Sequence, residues 1–279
     1  HRTVIDPRPI NLMLPDISHP LPLIHDILES LSGAIIFTQL DLKQSYLQFL
    51  LHARDQHKTT FTWFNRQFHF IGVPFGFKNI PALFQKVMSD IFKDYSFILV
   101  YMDNIIIHSR SFREHVNHVI IAIKVLNAAN LKLQPKKCDW AYTELTILGM
   151  RISRNGIAVV KDKLLAMDEW LRPTSGKILA KHLGFFNYFR DLIPCYSKLM
   201  YPLEKLRNVK KIIWTQELED IYKKVRNILT SGIILSFPDF SRPFMVGTDA
   251  SKYGIGSVLY QEYNNTIHYI SFAAPSLID

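Results

Sequence analysis

Apolar residues recur along this chain in two rhythms. Leu23, Ile24, Ile27, Leu28 and Leu31 fall at helical spacing, and Gly33 can close that helix. Ile35-Ile36-Phe37-Thr38-Gln39-Leu40 then runs as a strand that ends on Asp41. A turn around Lys43–Ser45 leads into Tyr46–Leu51 and a basic stretch ending at Phe61. Phe61–Phe70 alternates aromatic with polar positions, the pattern of a hairpin. Gly72-Val73-Pro74-Phe75-Gly76-Phe77 reads as a stiff loop. Asn79 is placed to cap a helix with Pro81 in its first turn and Leu83, Phe84, Val87, Ile91 and Phe92 on its buried face.

Two apolar runs follow, Phe97-Ile98-Leu99-Val100 and Ile105-Ile106-Ile107, around Tyr101-Met102-Asp103-Asn104. They predict a hairpin of two short buried strands with an acid at its tip. Ser111 and Glu114 fit a capping box for a helix that buries Val116, Val119, Ile120, Ile123 and Leu126. Leu148–Ser153 adds a short strand before Asn155-Gly156. The order strand, helix, hairpin, helix, strand predicts an α+β layer, an antiparallel sheet backed by helices. Lys161–Leu171 and Lys177–Leu192 then read as helices stopped by Pro173 and Pro194, so that about 155 to 205 forms a small helical domain. Thr215 can cap a third helix with Leu218, Ile221, Tyr222, Val225, Ile228 and Leu229 on one face. After the linker Pro238-Asp239-Phe240, Phe244–Tyr260 alternates like two strands around Asp249 and Gly254.

Composition narrows the partners. The 279 residues carry a net charge of +9, which makes nucleic acid the leading partner and an anionic membrane the second. The two cysteines, Cys138 and Cys195, give neither a disulfide framework nor a zinc spacing, which points to a reducing, intracellular compartment. No apolar run is long enough to span a bilayer and no signal peptide is visible, so no membrane partner and no secretion are expected. The chain opens at His1 on a strand-like Arg2–Asp6 and stops at Asp279, and both ends look cut from something longer.

The chemistry centres on two acids. Singly, Asp41 reads as a strand-end residue and Asp103 as turn chemistry. Raised together to one sheet surface, two carboxylates make a divalent-cation site suited to phosphate chemistry.

The motif order resembles the reverse transcriptase of gypsy-class long-terminal-repeat retrotransposons, kin of the retroviral enzyme. The matching pieces are Arg2–Asn11, Leu40-Asp41-Leu42 with Tyr46, Pro74–Phe77 with Asn79, Pro81, Phe84 and Gln85, Tyr101–Asn104, Lys137-Cys138, Leu148-Gly149, and Thr248–Ser251. The resemblance implies a right-hand polymerase fold. Residues 1–154 would be palm and partial fingers, 155–205 a helical thumb, 206–243 a connection helix and linker, and 244–279 the first strands of an RNase H-like domain. It implies Mg²⁺ or Mn²⁺ as cofactor, and RNA/DNA primer-template and deoxynucleoside triphosphates as partners.

It also assigns roles. Asp41, Asp103 and Asn104 would hold the cations. Lys137 would be the general acid for the leaving pyrophosphate. Arg2, Tyr46, Phe75 and Gly76 would bind the incoming nucleotide, with the Tyr46 ring excluding a ribose 2′-hydroxyl. Gln85 would touch the template, and Leu148, Gly149 and Met150 would form a primer grip. Asp249 resembles the first metal ligand of ribonuclease H, whose further acids are missing, so RNase H activity is not expected.

At one point the chain departs from that family, which usually carries two adjacent aspartates at the hairpin. Asn104 keeps an oxygen but loses a charge. A unit-charge pair 4 Å apart is worth about 4 kcal/mol at an effective dielectric of about 20, a ceiling of roughly three decades in rate. Two functions therefore stand open: RNA- and DNA-templated DNA synthesis weakened by Asn104, or a catalytically inactive relic that binds nucleic acid.

Overall fold

The computed structural model describes residues 4–17, 19, 20, 22, 24–230, 232, 235–251 and 254–274. It divides into two compact units, His1–Leu145 and Thr146–Asp279. Arg2 lies outside the described residues. Val4–Asp6 is not a strand, contrary to the expectation over 2–6, and a short helix α1 (Arg8–Met13) follows it.

In the first unit, α2 (Ile24–Ser30) turns through Gly33, whose φ of 75° is open to glycine at little cost, into β1 (Ile36–Asp41). The segment after Asp41 is a 3-10 turn, Ser45–Gln48, entered through left-handed Gln44. A small hairpin β2 (Phe61–Trp63) and β3 (Arg66–Phe68) closes through Phe64 and Asn65, both at positive φ. Helix α3 (Ile80–Phe92), hairpin β4 (Ile98–Tyr101) and β5 (Asn104–Ser109), helix α4 (Phe112–Ala128) and β6 (Asp139–Tyr142) complete the unit. The sheet order is β4-β5-β1-β6, with antiparallel pairing throughout. Leu40, Val100, Ile105 and Ile107 pack with Phe84, Met88 and Phe92 of α3 and Ala122 and Leu126 of α4 in one core.

The buried faces of both helices are rotated from the expected ones. On α3 the inward row is Phe84, Met88 and Phe92, joined by Gln85, while Leu83 and Val87 lie exposed. On α4, His115 is buried and His118 half-buried, whereas Val116 and Ile120 face outward. On α4 the cause is polar: the His115 ring bonds the Thr38 hydroxyl through Nε2 and Ser109 Oγ through Nδ1, both at 2.8 Å, and His118 Nδ1 sits 2.9 Å from the same Ser109 oxygen. A buried polar network must be fully paired, so it fixes the rotation against the apolar count. Asn79 also departs from expectation. It stands at the start of α3 but makes no cap, because its side chain bonds the 15–17 segment, donating to Pro15 O and accepting from Ile17 N.

In the second unit, β7 (Glu144–Ile147), β8 (Met150–Ser153) and β9 (Gly156–Val159) form a meander. Thus the 155–205 region begins with a strand rather than a helix. Helices α5 (Lys161–Asp168), α6 (Gly176–Tyr188), α7 (Tyr196–Glu204) and α8 (Gln216–Thr230) follow. Leu179, Leu183, Phe186, Val225 and Leu229 are buried in this helical part. Thr215 caps α8 as expected, its hydroxyl accepting from Leu218 N. The three strands β10 (Met245–Ser251), β11 (Gly254–Tyr263) and β12 (Thr266–Ala273) form an antiparallel sheet. Among the described residues no helix is long and apolar enough to cross a membrane.

Candidate active site

Side chains alternate across a strand, so Leu40 on the core face puts Gln39 and Asp41 on the other. The register pairs Asp41 with Asn104 and Gln39 with Ile106. Asp103 is the residue before Asn104, in the two-residue turn between Tyr101 and Asn104. This face is closed at Phe37 and Ile106, which are buried, and opens toward half-buried Asp41 and Asn104 and exposed Asp103. Antiparallel partners lie about 4.5–5.5 Å apart at Cα, so Asp41 and Asn104 share one strand end, with Asp103 next to them in the turn.

Chain on either side braces the two acids. Asp41 O accepts from Gln134 N at 2.9 Å, and Asp41 N donates to Cys138 Sγ at 3.4 Å. The short turn Pro135–Lys137, on which Lys137 is exposed, is thereby docked on the end of β1. Burial raises the Cys138 thiol pKa, a bond with the Asp41 backbone opposes the rise, and the Asp41 carboxylate adds to it. At the hairpin, Met102 adopts φ 52°. Gln85 Oε1 accepts from Met102 N at 2.7 Å, while Gln85 Nε2 donates to Val100 O at 3.0 Å. With 1% exposure, Gln85 braces the hairpin from within, and a template contact through its amide, which the resemblance implies, would compete with these bonds.

Tyr46 sits on its 3-10 turn with its ring 5.2 Å from Phe75 and 5.3 Å from Phe84. Its hydroxyl pKa is raised, first by burial and then by the Asp103 carboxylate, which puts that oxygen within the acid's field. Gly76 has φ 99°, and a Cβ there would stand 2.8 Å from Pro7 Cγ, so any other residue is strained and must displace Pro7. Asn11 holds this loop from α1, donating to Gly76 O at 2.9 Å and accepting from Lys78 N at 3.0 Å.

The remaining candidates lie in the second unit. Leu148 (φ 54°) and Gly149 (φ 72°) form the tight turn from β7 to β8, and the Tyr188 hydroxyl donates to Leu148 O at 2.7 Å. Met150, next to them, is buried. Asp249 is exposed on β10 opposite Gly256.

The donor set suits a hard divalent cation. Asp41 and Asp103 supply carboxylate oxygens, and among the described residues neither is in an ion pair with a basic side chain. No cluster of three or more His, Cys, Asp or Glu residues occurs among the described residues. Three participants escaped sequence reasoning: Gln39, Asn11 and Cys138 as a brace. Asn11, at the end of the Arg2–Asn11 piece, and Cys138, beside Lys137, carried a signal, and Gln39 carried none.

Comparison with known proteins gives a consistent picture. The family model described as "Reverse transcriptase (RNA-dependent DNA polymerase)" matches residues 1–152. An "RNase H-like domain found in reverse transcriptase" matches residues 214–279. The chain is similar to the Transposon Tf2-7 polyprotein of Schizosaccharomyces pombe, with 34% identity over 96% of the chain, and to the Tf2-3 polyprotein, with 33% identity. It spans about a fifth of the length of these curated relatives (20%). Among solved structures it is similar to a foamy viral protease-reverse transcriptase in complex with dsDNA. There the TM-score is 0.86 and the identity 26%, with 100% of this chain and 59% of that chain covered. The same viral protein in complex with an RNA/DNA hybrid gives a TM-score of 0.80 at 25% identity, covering 99% and 38% of the two chains.

Proposed function

Because the chain belongs to the reverse transcriptase (RNA-dependent DNA polymerase) family, we propose that it is the polymerase segment of a retrotransposon Pol polyprotein. It copies RNA and DNA templates into DNA by nucleotidyl transfer at Asp41 and Asp103. The supporting observation is the register: Asp41 faces Asn104 across the ladder and Asp103 adjoins it, two unpaired carboxylates at one strand end.

Asp41 and Asp103 would hold Mg²⁺ or Mn²⁺. When bound, two such ions lower the pKa of a primer hydroxyl and stabilise charge on the triphosphate. The residues around them do the rest. Tyr46, packed on Phe75 and Phe84, presents a rigid ring edge beside Asp103, where a 2′-hydroxyl would clash. The Phe75-Gly76 loop, fixed by Asn11, forms the floor for the nucleotide. Arg2 would grip the triphosphate, and Lys137 would deliver a proton to the departing pyrophosphate. The Leu148-Gly149-Met150 turn would hold the primer end. The partners in this reading are an RNA/DNA primer-template and deoxynucleoside triphosphates. Residues 1–154, 155–205, 206–243 and 244–279 would serve as palm with fingers residues, thumb, connection and strands of an RNase H-like domain, with Asp249 as a metal ligand of that domain. The compartment would be intracellular.

Asn104 favours a second reading, in which the fold binds duplex without extending it. Primer extension on a homopolymer template distinguishes the two. Extension by the unaltered chain that Asp103→Ala abolishes supports the enzyme. Extension by Asn104→Asp alone identifies a disabled polymerase. Duplex binding with a steep salt slope and no extension by any variant supports the relic.

A further inference from the structure

The small hairpin β2–β3 carries its aromatic side outward. Side chains alternate along a strand, and the register sets Phe61 opposite Phe68 and Trp63 opposite Arg66. These four therefore share one face of the ribbon, while Thr62 and Gln67 take the other. The Phe61 and Phe68 rings stack at 5.8 Å, yet Phe68 remains 43% exposed and Trp63 61%. At the tip, Phe64 is 84% exposed with φ 44°, in a turn whose central positions take Asn, Asp or Gly at least cost. Its ring stands edge-on to Trp63, 5.0 Å away at an interplanar angle of 85°. A bulky ring held in left-handed backbone and left in solvent gives up stability without gaining burial. Strain of that kind points to a role outside folding.

Charge narrows what such a face takes. Arg66 is exposed and in no ion pair among the described residues. No Asp or Glu occurs between Asp55 and Asp90, whereas Lys58, Arg66, Lys78 and Lys86 do. A guanidinium fork suits phosphate oxygens, and exposed indole and phenyl rings suit the flat faces of bases. Those faces are open only where a strand is unpaired. We infer that the Trp63, Phe64 and Arg66 end of this hairpin is a stacking platform for a single-stranded polynucleotide. A base lies against the Trp63 indole, with Phe64 flanking it, and the phosphate backbone runs past Arg66. The inference deepens the polymerase reading and rests on it: the strand taken is unpaired template.

Fluorescence anisotropy of a labelled short oligo(dT) and of a labelled blunt duplex, each titrated with the full chain, tests this. Trp63→Ala is expected to weaken oligo(dT) binding at least about fivefold and to leave duplex binding within about twofold. Arg66→Gln should lower the slope of log affinity against log salt on oligo(dT) by about 0.7, whereas Trp63→Ala leaves that slope in place, because stacking releases no counterions. Phe64→Asn puts a residue suited to left-handed backbone at the tip, so its melting temperature should not fall while oligo(dT) binding weakens at least about threefold. Oligo(dT) affinity unchanged in Trp63→Ala, or equal losses on single strand and duplex, overturns the inference and leaves the polymerase reading standing. Should Trp63→Ala not fold, the same two outcomes in Phe64→Asn overturn it. A concentration-dependent dimer, or binding to vesicles of anionic phospholipid, that Trp63→Ala removes while oligo(dT) binding is kept gives the face to a protein or a membrane and overturns it likewise. An unaltered chain that binds neither oligo(dT) nor duplex overturns the polymerase reading and this inference together.

Discussion

Gln85, inside α3, carries the backbone of Met102 on its side-chain oxygen at 2.7 Å and reaches Val100 O at 3.0 Å with its nitrogen. A glutamine is the neutral side chain that can accept from one peptide group and donate to another two residues away. The hairpin tip, with Met102 at φ 52°, is thus held from beneath by a buried amide rather than by its own sequence.

Gln85→Met keeps the volume and removes both bonds. It leaves Met102 N and Val100 O to lose a partner each, at about 1–3 kcal/mol for each group left unsatisfied. The expected loss is about 2–4 kcal/mol in urea unfolding, with primer extension falling further than stability explains, since the displaced tip carries Asp103. Normal extension at reduced stability would show that the brace serves folding alone.

Asn104→Asp adds a third acid to the strand end. Two unit charges about 5 Å apart at an effective dielectric of about 20 repel by about 3 kcal/mol, and exposure of Asp103 reduces this to about 1 kcal/mol. The variant is expected to melt lower than the unaltered chain in EDTA and to gain more from Mg²⁺. Paired thermal melts with and without the ion check both signs.

Gly76→Ala places a methyl group 2.8 Å from Pro7 Cγ at a φ of 99°. Strain of that kind costs on the order of 1–3 kcal/mol. Relief comes most easily by displacing Pro7, so hydrogen exchange should quicken at Lys78 N, which bonds Asn11 Oδ1.

Burial holds His108 and His182 neutral, each lowered from 6.5 to about 4. His182 also lies against the Trp170 ring and 2.6 Å from the Tyr222 hydroxyl. The unfolded chain takes up these protons below about pH 6.5 and the folded chain only near pH 4. Stability is therefore present above pH 6.5 and falls as pH drops from 6.5 toward 4, by at most about 3 kcal/mol per histidine. Urea midpoints at pH 7, 6 and 5 should decline in step, and His182→Phe should flatten the slope.

The elements that announce themselves by apolar runs, β1 and the β4–β5 hairpin, were legible as strands, and with them the position of Asp41 and Asp103 at strand ends. Which face of α3 and α4 turns inward was not. Apolar counting favours Val116 and Ile120, yet the bonds of His115 and His118 to Thr38 and Ser109 decide the rotation. Such pairings join residues up to 77 positions apart and leave no periodic trace. Gln39 and Gln85 were opaque for the same reason. A polar residue in a strand or helix reads as solvated until its partner is known. Tyr46 could be placed near the site by motif, but its 3-10 turn depends on left-handed Gln44, which propensity does not foresee.

The bond from Tyr188 to the left-handed turn at Leu148 has a mechanical result. Tyr188 is the last residue of α6, so helix end and turn are linked as crank and rod. A displacement of that helix along its axis would pull on the Leu148 carbonyl through this bond, beside the buried Phe189 ring that lies next to Gly149. Tyr188→Phe removes the first of these two links and leaves the second.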